Sequence, residues 1–251
     1  MNFEILKGIL IPFFGTSLGA ACVFFLKKDL NPRLETLLNG FAAGVMAAAS
    51  IWSLLLPAID RSAHLGHLAF LPAAGGFLSG TLLLLLLDHA LTQIRPDAAE
   101  KTSMMIFTIT LHNVPEGMAV GAIYAGWLIG DGAVTLAGAL ALSIGIAIQN
   151  FPEGAVVSLP LRAAGFRRKK SFIGGVLSGA VEPAAAVLTI FLSEQITPVL
   201  PFLLSFAAGA MIYVVVAELI PELHEHEYSD LGTLFFSLGF VIMMILDVAL
   251  S

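Results

Sequence analysis

The chain has 251 residues, of which 58% are hydrophobic and only 12% are charged, and its formal net charge is -6. Soluble domains carry about 25% charged residues, so this composition excludes a water-soluble enzyme, a nucleic-acid-binding protein and a disordered scaffold. A membrane-spanning helix needs about 20 apolar residues, and the length therefore leaves room for about eight spans.

Charged and turn-forming residues divide the chain into eight predicted helices, and no segment shows the alternation of a barrel strand. These helices cover residues 4–27, 33–60, 70–94, 102–127, 132–161, 171–194, 198–221 and 230–250. The first is predicted to be a retained helix and not a signal peptide, because Lys27 and Lys28 follow the apolar stretch. The sequence thus predicts one all-α integral membrane domain over residues 1–251.

The basic residues indicate how the helices are oriented. Only Lys7 and Arg61 lie on the N-terminal side or in even-numbered loops, whereas the other bases lie in odd-numbered loops. Basic loops stay in the cytoplasm, so both termini are predicted to lie outside it. We expect a multi-pass protein of the plasma (inner) membrane.

Internal similarity links the two ends of the chain. Residues 41–46 (FAAGVM) resemble residues 206–211 (FAAGAM), and residues 87–91 (LDHAL) resemble residues 246–250 (LDVAL). Residues 4–94 and 171–250 are therefore predicted to be two repeats of three helices with opposite topology. They flank a central helix pair over residues 102–161, in a 3+2+3 arrangement that is typical of transporters.

Six acidic residues fall inside the predicted spans, where no lysine or arginine lies deep enough to pair with them. An acid at the bilayer centre opposes insertion by about 2.5–3.5 kcal/mol. Unpaired carboxylates must be protonated, face water or bind cations that are not part of the protein. A cation pathway is the prediction that accounts for all six: Asp88, Glu116, Glu153, Glu182, Glu218 and Asp247.

The two central helices carry matching polar motifs, residues 112–117 (HNVPEG) and 149–154 (QNFPEG). Side chains three and four residues apart project from one helix face, and each proline breaks a backbone hydrogen bond beside the polar group. With Glu182, the predicted ligands are His112, Asn113, Glu116, Gln149, Asn150 and Glu153. Nitrogen and oxygen donors without a thiolate suit Zn²⁺, Fe²⁺, Mn²⁺ or Cd²⁺.

These paired motifs resemble the fourth and fifth helices of the ZIP (Zrt-, Irt-like protein) divalent metal transporters, most closely their bacterial GufA-like branch. The resemblance implies a binuclear site in which Glu116 and Glu153 bridge two metals. It assigns His112, Gln149 and Met46 to one metal and Asn113, Asn150 and Glu182 to the other. It also implies a route to bulk solvent lined by Asp88, Glu218 and Asp247, with Ser53 and Asp60 on the second helix.

Two features depart from the pattern of the family. Several members have histidine or an acid where this chain has Gln149 and Asn150, which leaves the metal preference and the second metal open. Many members have a histidine-rich loop between helices 3 and 4, whereas residues 95–101 here are short and contain no histidine.

The other histidines allow two interpretations each. Glu222, His224, Glu225, His226 and Glu227 form either a cytoplasmic exit for metal or an ordinary solvated acidic loop. His64 and His67 either collect metal on the outer face or belong to a polar loop.

The sequence as a whole predicts a transporter, not an enzyme, that moves divalent metal into the cytoplasm by alternating access. Zn²⁺ is the expected substrate, with Cd²⁺, Fe²⁺ and Mn²⁺ as related ions and no organic cofactor. The expected partners are the lipid bilayer, the metal ions and a second copy of the chain in a homodimer. The alternatives are a Ca²⁺/cation exchanger and an intramembrane metallohydrolase, although no HExxH motif is present.

Overall fold

The computed structural model describes residues 3–25, 32–92, 98–130, 134–163, 165–192, 199–224 and 228–250, and all regular structure within them is helical. Helix α1 covers Phe3–Ala20 and continues as Cys22–Phe25, α2 covers Pro32–Arg61, α3 covers Phe70–Thr92 and α4 covers Ala98–Leu128. Helix α5 covers Leu136–Ala163, α6 covers Arg168–Gly179 and Val181–Phe191, α7 covers Leu200–Val214 and continues to His224, and α8 covers Ser229–Leu250.

The prediction of an all-α membrane protein is confirmed. In the described part of the chain, seven helices are long and apolar enough to cross a membrane, namely α1, α2, α3, α5, α6, α7 and α8. Among the described helices, α4 is the longest continuous α-helix, with 31 residues. The predicted helix ends are close to the observed ones. Among the larger differences, α4 begins at Ala98 and not at residue 102, and α5 begins at Leu136 and not at residue 132.

Two helices contain π-helical segments that the sequence analysis did not predict. They cover Ser50–Leu55 in α2 and Val215–Leu219 in α7. The N–H of Leu56 bonds to the carbonyl of Ile51, and the N–H of Ile220 bonds to that of Val215, five residues earlier in each case. A proline stands two positions after the end of each segment, Pro57 in α2 and Pro221 in α7, and since proline has no N–H, the regular i-to-i−4 ladder is interrupted there.

The helices pack in pairs: α1 against α5, α2 against α8, α3 against α7, and α4 against the second half of α6. Glycines bring the backbones together. A Cβ atom on Gly154 would collide with the carbonyl of Thr16, and one on Gly117 would collide with the backbone of Glu182. Small residues at such positions let membrane helices approach closely. The close approach joins α1 to α5 and α4 to α6 at the level of the predicted metal ligands.

Candidate metal centre

Three neighbouring helices carry the predicted ligands. Asn113 and Glu116 lie on α4, Gln149, Asn150 and Glu153 on α5, and Glu182 in the first turn of the second half of α6. Five of these side chains are buried, with Glu116 and Glu182 each only 1% exposed, whereas Glu153 is half-buried. The fold therefore collects polar side chains from distant parts of the sequence in the interior.

The first group joins α4 to α5. The Nε2 atom of Gln149 donates a hydrogen bond to Oε1 of Glu116, at 2.7 Å. This bond fixes one oxygen of the carboxylate and orients the carboxamide. The other oxygens, Oε2 of Glu116 and Oε1 of Gln149, are buried and have no hydrogen-bond partner.

The second group joins α1, α4 and α6. Oε1 of Glu182 accepts a hydrogen bond from Oγ1 of Thr16 at 2.8 Å and one from Nδ2 of Asn113 at 3.2 Å. The same Nδ2 atom also donates to the backbone carbonyl of Ser178 at 3.1 Å. Oε2 of Glu182 and Oδ1 of Asn113 are left buried without a partner.

Buried oxygens without hydrogen bonds are the common feature of the two groups. With Oδ1 of Asn150 and Oε2 of Glu153, six such oxygens lie on α4, α5 and α6. The carboxylates of Glu116, Glu153 and Glu182 interact electrostatically with one another, and Asn150 lies close to the first and third. An unsatisfied buried acceptor is costly, and a bound cation is one group that satisfies several acceptors together.

Carboxamides lie beside the carboxylates in this cluster. Among the described side chains, no group of three His, Cys, Asp or Glu residues is arranged to hold a metal ion. A cation held by the described side chains alone would combine carboxylates with the oxygens of Asn113, Gln149 or Asn150. The side chain of His112 lies outside the described part of the chain, and Met46 of α2 is buried at 1% exposure.

Three of the predicted pathway residues, Ser53, Asp88 and Asp247, take part in hydrogen bonds between neighbouring helices. Oγ of Ser53 in α2 donates to Oδ1 of Asp247 in α8 at 2.6 Å, and both side chains are buried. The hydroxyl of Tyr213 in α7 donates to Oδ2 of Asp88 in α3 at 3.0 Å. Glu218 interacts electrostatically with Tyr213 and with Glu153 of the central cluster.

Ser53 and Glu218 lie within the two π-helical segments. A π-helical turn places side chains differently from an α-helical one and is frequent at functional sites. Asp60 is exposed near the end of α2, away from these pairs along the helix.

The remaining predicted metal-binding residues lie in loops and helix ends, and they are either exposed or outside the described part of the chain. His64 and His67 are exposed in a 3₁₀ segment over Ala63–Leu68, where Nδ1 of His64 contacts the carbonyl of Arg61 at 3.1 Å. Glu225, His226 and Glu227 lie outside the described residues, as do the side chains of Glu222 and His224. The exit cluster therefore stays a prediction.

Two residues at the site were not identified from the sequence, Thr16 and Tyr213. Both contribute hydroxyl donors to acids on other helices. Gly15 and Gly19, which flank Thr16 and come close to the backbone of α5, are the signal that marks this part of α1 as a packing surface. A hydroxyl partner for a distant acid is not visible in one sequence, because it depends on the rotation of two helices.

Comparison with known proteins identifies the family of the chain. The family model described as ZIP Zinc transporter matches residues 100–247. The chain is 39% identical to the zinc transporter ZIPB of Bordetella bronchiseptica, over 95% of this chain and 79% of the relative. It is 33% identical to the zinc transporter GufA of Myxococcus xanthus over 94% of both, and 35% identical to the zinc transporter ZIP11 of Bos taurus over 94% of both. The chain belongs to the ZIP zinc transporter family.

Proposed function

We propose that this protein transports Zn²⁺ across a membrane through the cluster formed by α4, α5 and α6. It is a transporter and not an enzyme, in line with the zinc transporters to which it is similar. The six buried oxygens without hydrogen bonds are the observation that carries the proposal. A dehydrated cation replaces lost water ligands with such oxygens, and the three carboxylates balance its charge.

The donors favour metals that accept oxygen together with nitrogen ligands. Zn²⁺, Cd²⁺, Fe²⁺ and Mn²⁺ meet this condition, whereas Ca²⁺ prefers six to eight oxygens and no imidazole. We assign His112 to the site because its backbone lies one turn before Glu116 on α4. The metal is the transported substrate, and no organic cofactor takes part.

We further propose two metal subsites that share Glu116 and Glu153. Gln149, which bonds to Glu116, serves the first with His112 and Met46. Asn113, which bonds to Glu182, serves the second with Asn150. The division is supported by the hydrogen bonds, because Gln149 and Asn113 each donate through nitrogen to a different carboxylate and keep the oxygen free.

Matching contacts support the inverted repeats. Gly44 of α2 lies against the carbonyl of Phe236 in α8, and Gly209 of α7 lies against that of Phe77 in α3. In the same way, Gly239 of α8 lies against Phe41 of α2, and Gly80 of α3 against Phe206 of α7. The contacts fall at equivalent positions of residues 4–94 and 171–250. We propose eight spans in a 3+2+3 arrangement, with α4 as the remaining span and alternating access as the mechanism.

The acidic residues outside the central cluster mark the proposed route. With both termini outside the cytoplasm, Ser53 and Asp247 lie on the outer side and Asp88 and Glu218 on the inner side. Metal then enters past Asp60 and Asp247, binds at the cluster and leaves past Glu218 and Asp88 toward the acidic loop over residues 222–227. This direction is import through the plasma (inner) membrane. We also propose that two copies of the chain form a homodimer. Crosslinking in membranes tests the homodimer.

Flux measured in proteoliposomes tests the function. Glu116→Gln and Glu153→Gln remove the charge at nearly constant volume and are expected to abolish Zn²⁺ uptake. Asp230→Asn, the same change at an exposed position in the first turn of α8, is the matched control and is expected to retain uptake. Elemental analysis of the purified proteins gives the number of metals bound.

Other outcomes would identify the alternatives. Uptake that saturates with Ca²⁺ and is indifferent to Zn²⁺ indicates a cation exchanger. Metal-dependent hydrolysis without ion flux, lost in Glu116→Gln, indicates a metallohydrolase. Full Zn²⁺ uptake by both charge-neutralised variants contradicts the site.

A further inference from the structure

Thr16 differs from most buried hydroxyls of the described helices and resembles Ser53, because it donates to an acid on another helix. Hydroxyls within helices usually donate to the carbonyl four residues earlier, as Ser50 and Thr189 do at 2.8 Å each. The corresponding distance from Thr16 to the carbonyl of Pro12 is 3.5 Å, at the limit for a hydrogen bond. Its short bond of 2.8 Å goes instead to Glu182 on another helix. The single proton of this hydroxyl is thus committed to the carboxylate.

This bond decides which oxygen of Glu182 is free. Oε1 accepts from both Thr16 and Asn113, whereas Oε2 has no partner. The Asn113 bond is longer and its donor is shared with the carbonyl of Ser178, so Thr16 supplies the shorter and unshared bond. A carboxylate held through one oxygen presents the other to a cation in a fixed direction.

The packing around Thr16 holds its side chain in place. A Cβ atom on Gly179 of α6 would lie 2.8 Å from Cβ of Thr16, and one on Gly154 of α5 would collide with the backbone carbonyl of Thr16. Gly117 of α4 approaches the backbone of Glu182 in the same way. Thr16 of α1 thus packs against the motif glycine of α5 as Glu182 of α6 packs against the motif glycine of α4. The two side chains meet between α1 and α6.

We propose that Thr16 is a positioning residue of the transport site. Its hydroxyl fixes Glu182 so that Oε2 faces the substrate ion, and through this carboxylate it sets the affinity for Zn²⁺. Helix α1 thereby takes part in metal binding without contributing a ligand. The inference rests on the proposed function, because it requires Glu182 to bind the ion.

The test compares variants of the full-length protein by Zn²⁺ titration and by uptake kinetics in proteoliposomes. Thr16→Val keeps the shape and removes the donor, so we expect Kd and KM for Zn²⁺ to rise about tenfold, the loss of one hydrogen bond to a charged group, with a smaller change in kcat. Thr16→Ser keeps the hydroxyl and is expected to stay close to the unsubstituted protein. Thr189→Val, the same change at a hydroxyl that bonds only within its helix, is the matched control.

The Glu182→Gln background separates positioning from structure. There, Thr16→Val is expected to add little, because the carboxylate on which it acts is gone. If Thr16→Val adds its full effect in that background, or if Thr16→Ser is as impaired as Thr16→Val, the inference is overturned and the proposed function stands. If Glu182→Gln alone leaves Zn²⁺ binding unchanged, the proposed site itself fails. Thr16→Ala replaces Thr16→Val under the same criteria if the valine variant does not fold.

Discussion

At the scale of single residues, the pair formed by Ser53 and Asp247 allows charge and hydrogen bonding to be separated. Asp247→Asn removes the charge but keeps an oxygen that accepts from Ser53, whereas Ser53→Ala removes the bond and keeps the charge. If the charge attracts incoming metal, Asp247→Asn raises KM for Zn²⁺ about three- to tenfold with little change in kcat. Uptake kinetics at several Zn²⁺ concentrations measure both parameters.

Comparing KM of the two variants separates the effect of the charge from that of the hydrogen bond. Ser53→Ala is expected to change KM less than about twofold, since the carboxylate remains on the route. A larger effect of Ser53→Ala than of Asp247→Asn contradicts an electrostatic role and indicates that the bond between α2 and α8 is required.

The residues of the candidate site were singled out from the sequence, but the contacts between them were not. Glu116 and Gln149 stood out because carboxylates and carboxamides are rare in apolar helices and here recur in matching motifs. The bond between them, and the bond from Thr16 to Glu182, join residues that are distant in sequence. One-dimensional spacing gives the face of each helix but not its rotation or depth against a neighbour.

At the scale of helices, two adjacent glycines of α3 differ in what they contact. A Cβ atom on Gly76 would collide with the carbonyl of Phe202 in α7, whereas one on Gly75 would meet only the ring of Phe202, at 3.8 Å. Gly76→Ala must push α3 from α7 and is expected to destabilise the protein by about 1–3 kcal/mol. Gly75→Ala is expected to be neutral or stabilising by up to about 1 kcal/mol, because alanine favours helices.

Thermal unfolding in detergent, followed by size-exclusion chromatography, measures this difference as a shift in Tm. Equal shifts for the two variants show that the contact between α3 and α7 does not depend on backbone approach at Gly76. The pair is a sharp comparison because the residues are neighbours with the same intrinsic preferences.

Helix positions follow from the sequence more directly than helix irregularities. Apolar length and flanking charges fix a span, since the bilayer imposes them on every helix. The π-helical segments at Ser50–Leu55 and Val215–Leu219 were missed. Pro57 and Pro221 were visible, but a proline permits an α-helical kink as well as a π-helical turn, and packing against neighbouring helices selects between them.

At the scale of the whole molecule, the inverted repeats require a particular arrangement of loops across the membrane. The basic segment around residues 167–170 and the 3₁₀ segment Ala63–Leu68 must lie on opposite sides if an odd number of spans separates them. Eight spans with both termini outside place the first segment in the cytoplasm and the second outside. Seven spans without α4 place both segments on the same side.

Cysteine labelling distinguishes these arrangements, because Cys22 is the only cysteine of the chain. In a Cys22→Ser background, His64→Cys and Lys169→Cys introduce thiols at exposed positions of the two segments. We expect a membrane-impermeant maleimide to label His64→Cys in intact cells and Lys169→Cys only after permeabilisation. Labelling of both from the outside contradicts α4 as a span, and the reverse pattern contradicts the orientation inferred from the basic loops. The expected pattern places Ser53 and Asp247 in the outer half of the molecule, so that metal entering there moves inward toward Glu218 and Asp88.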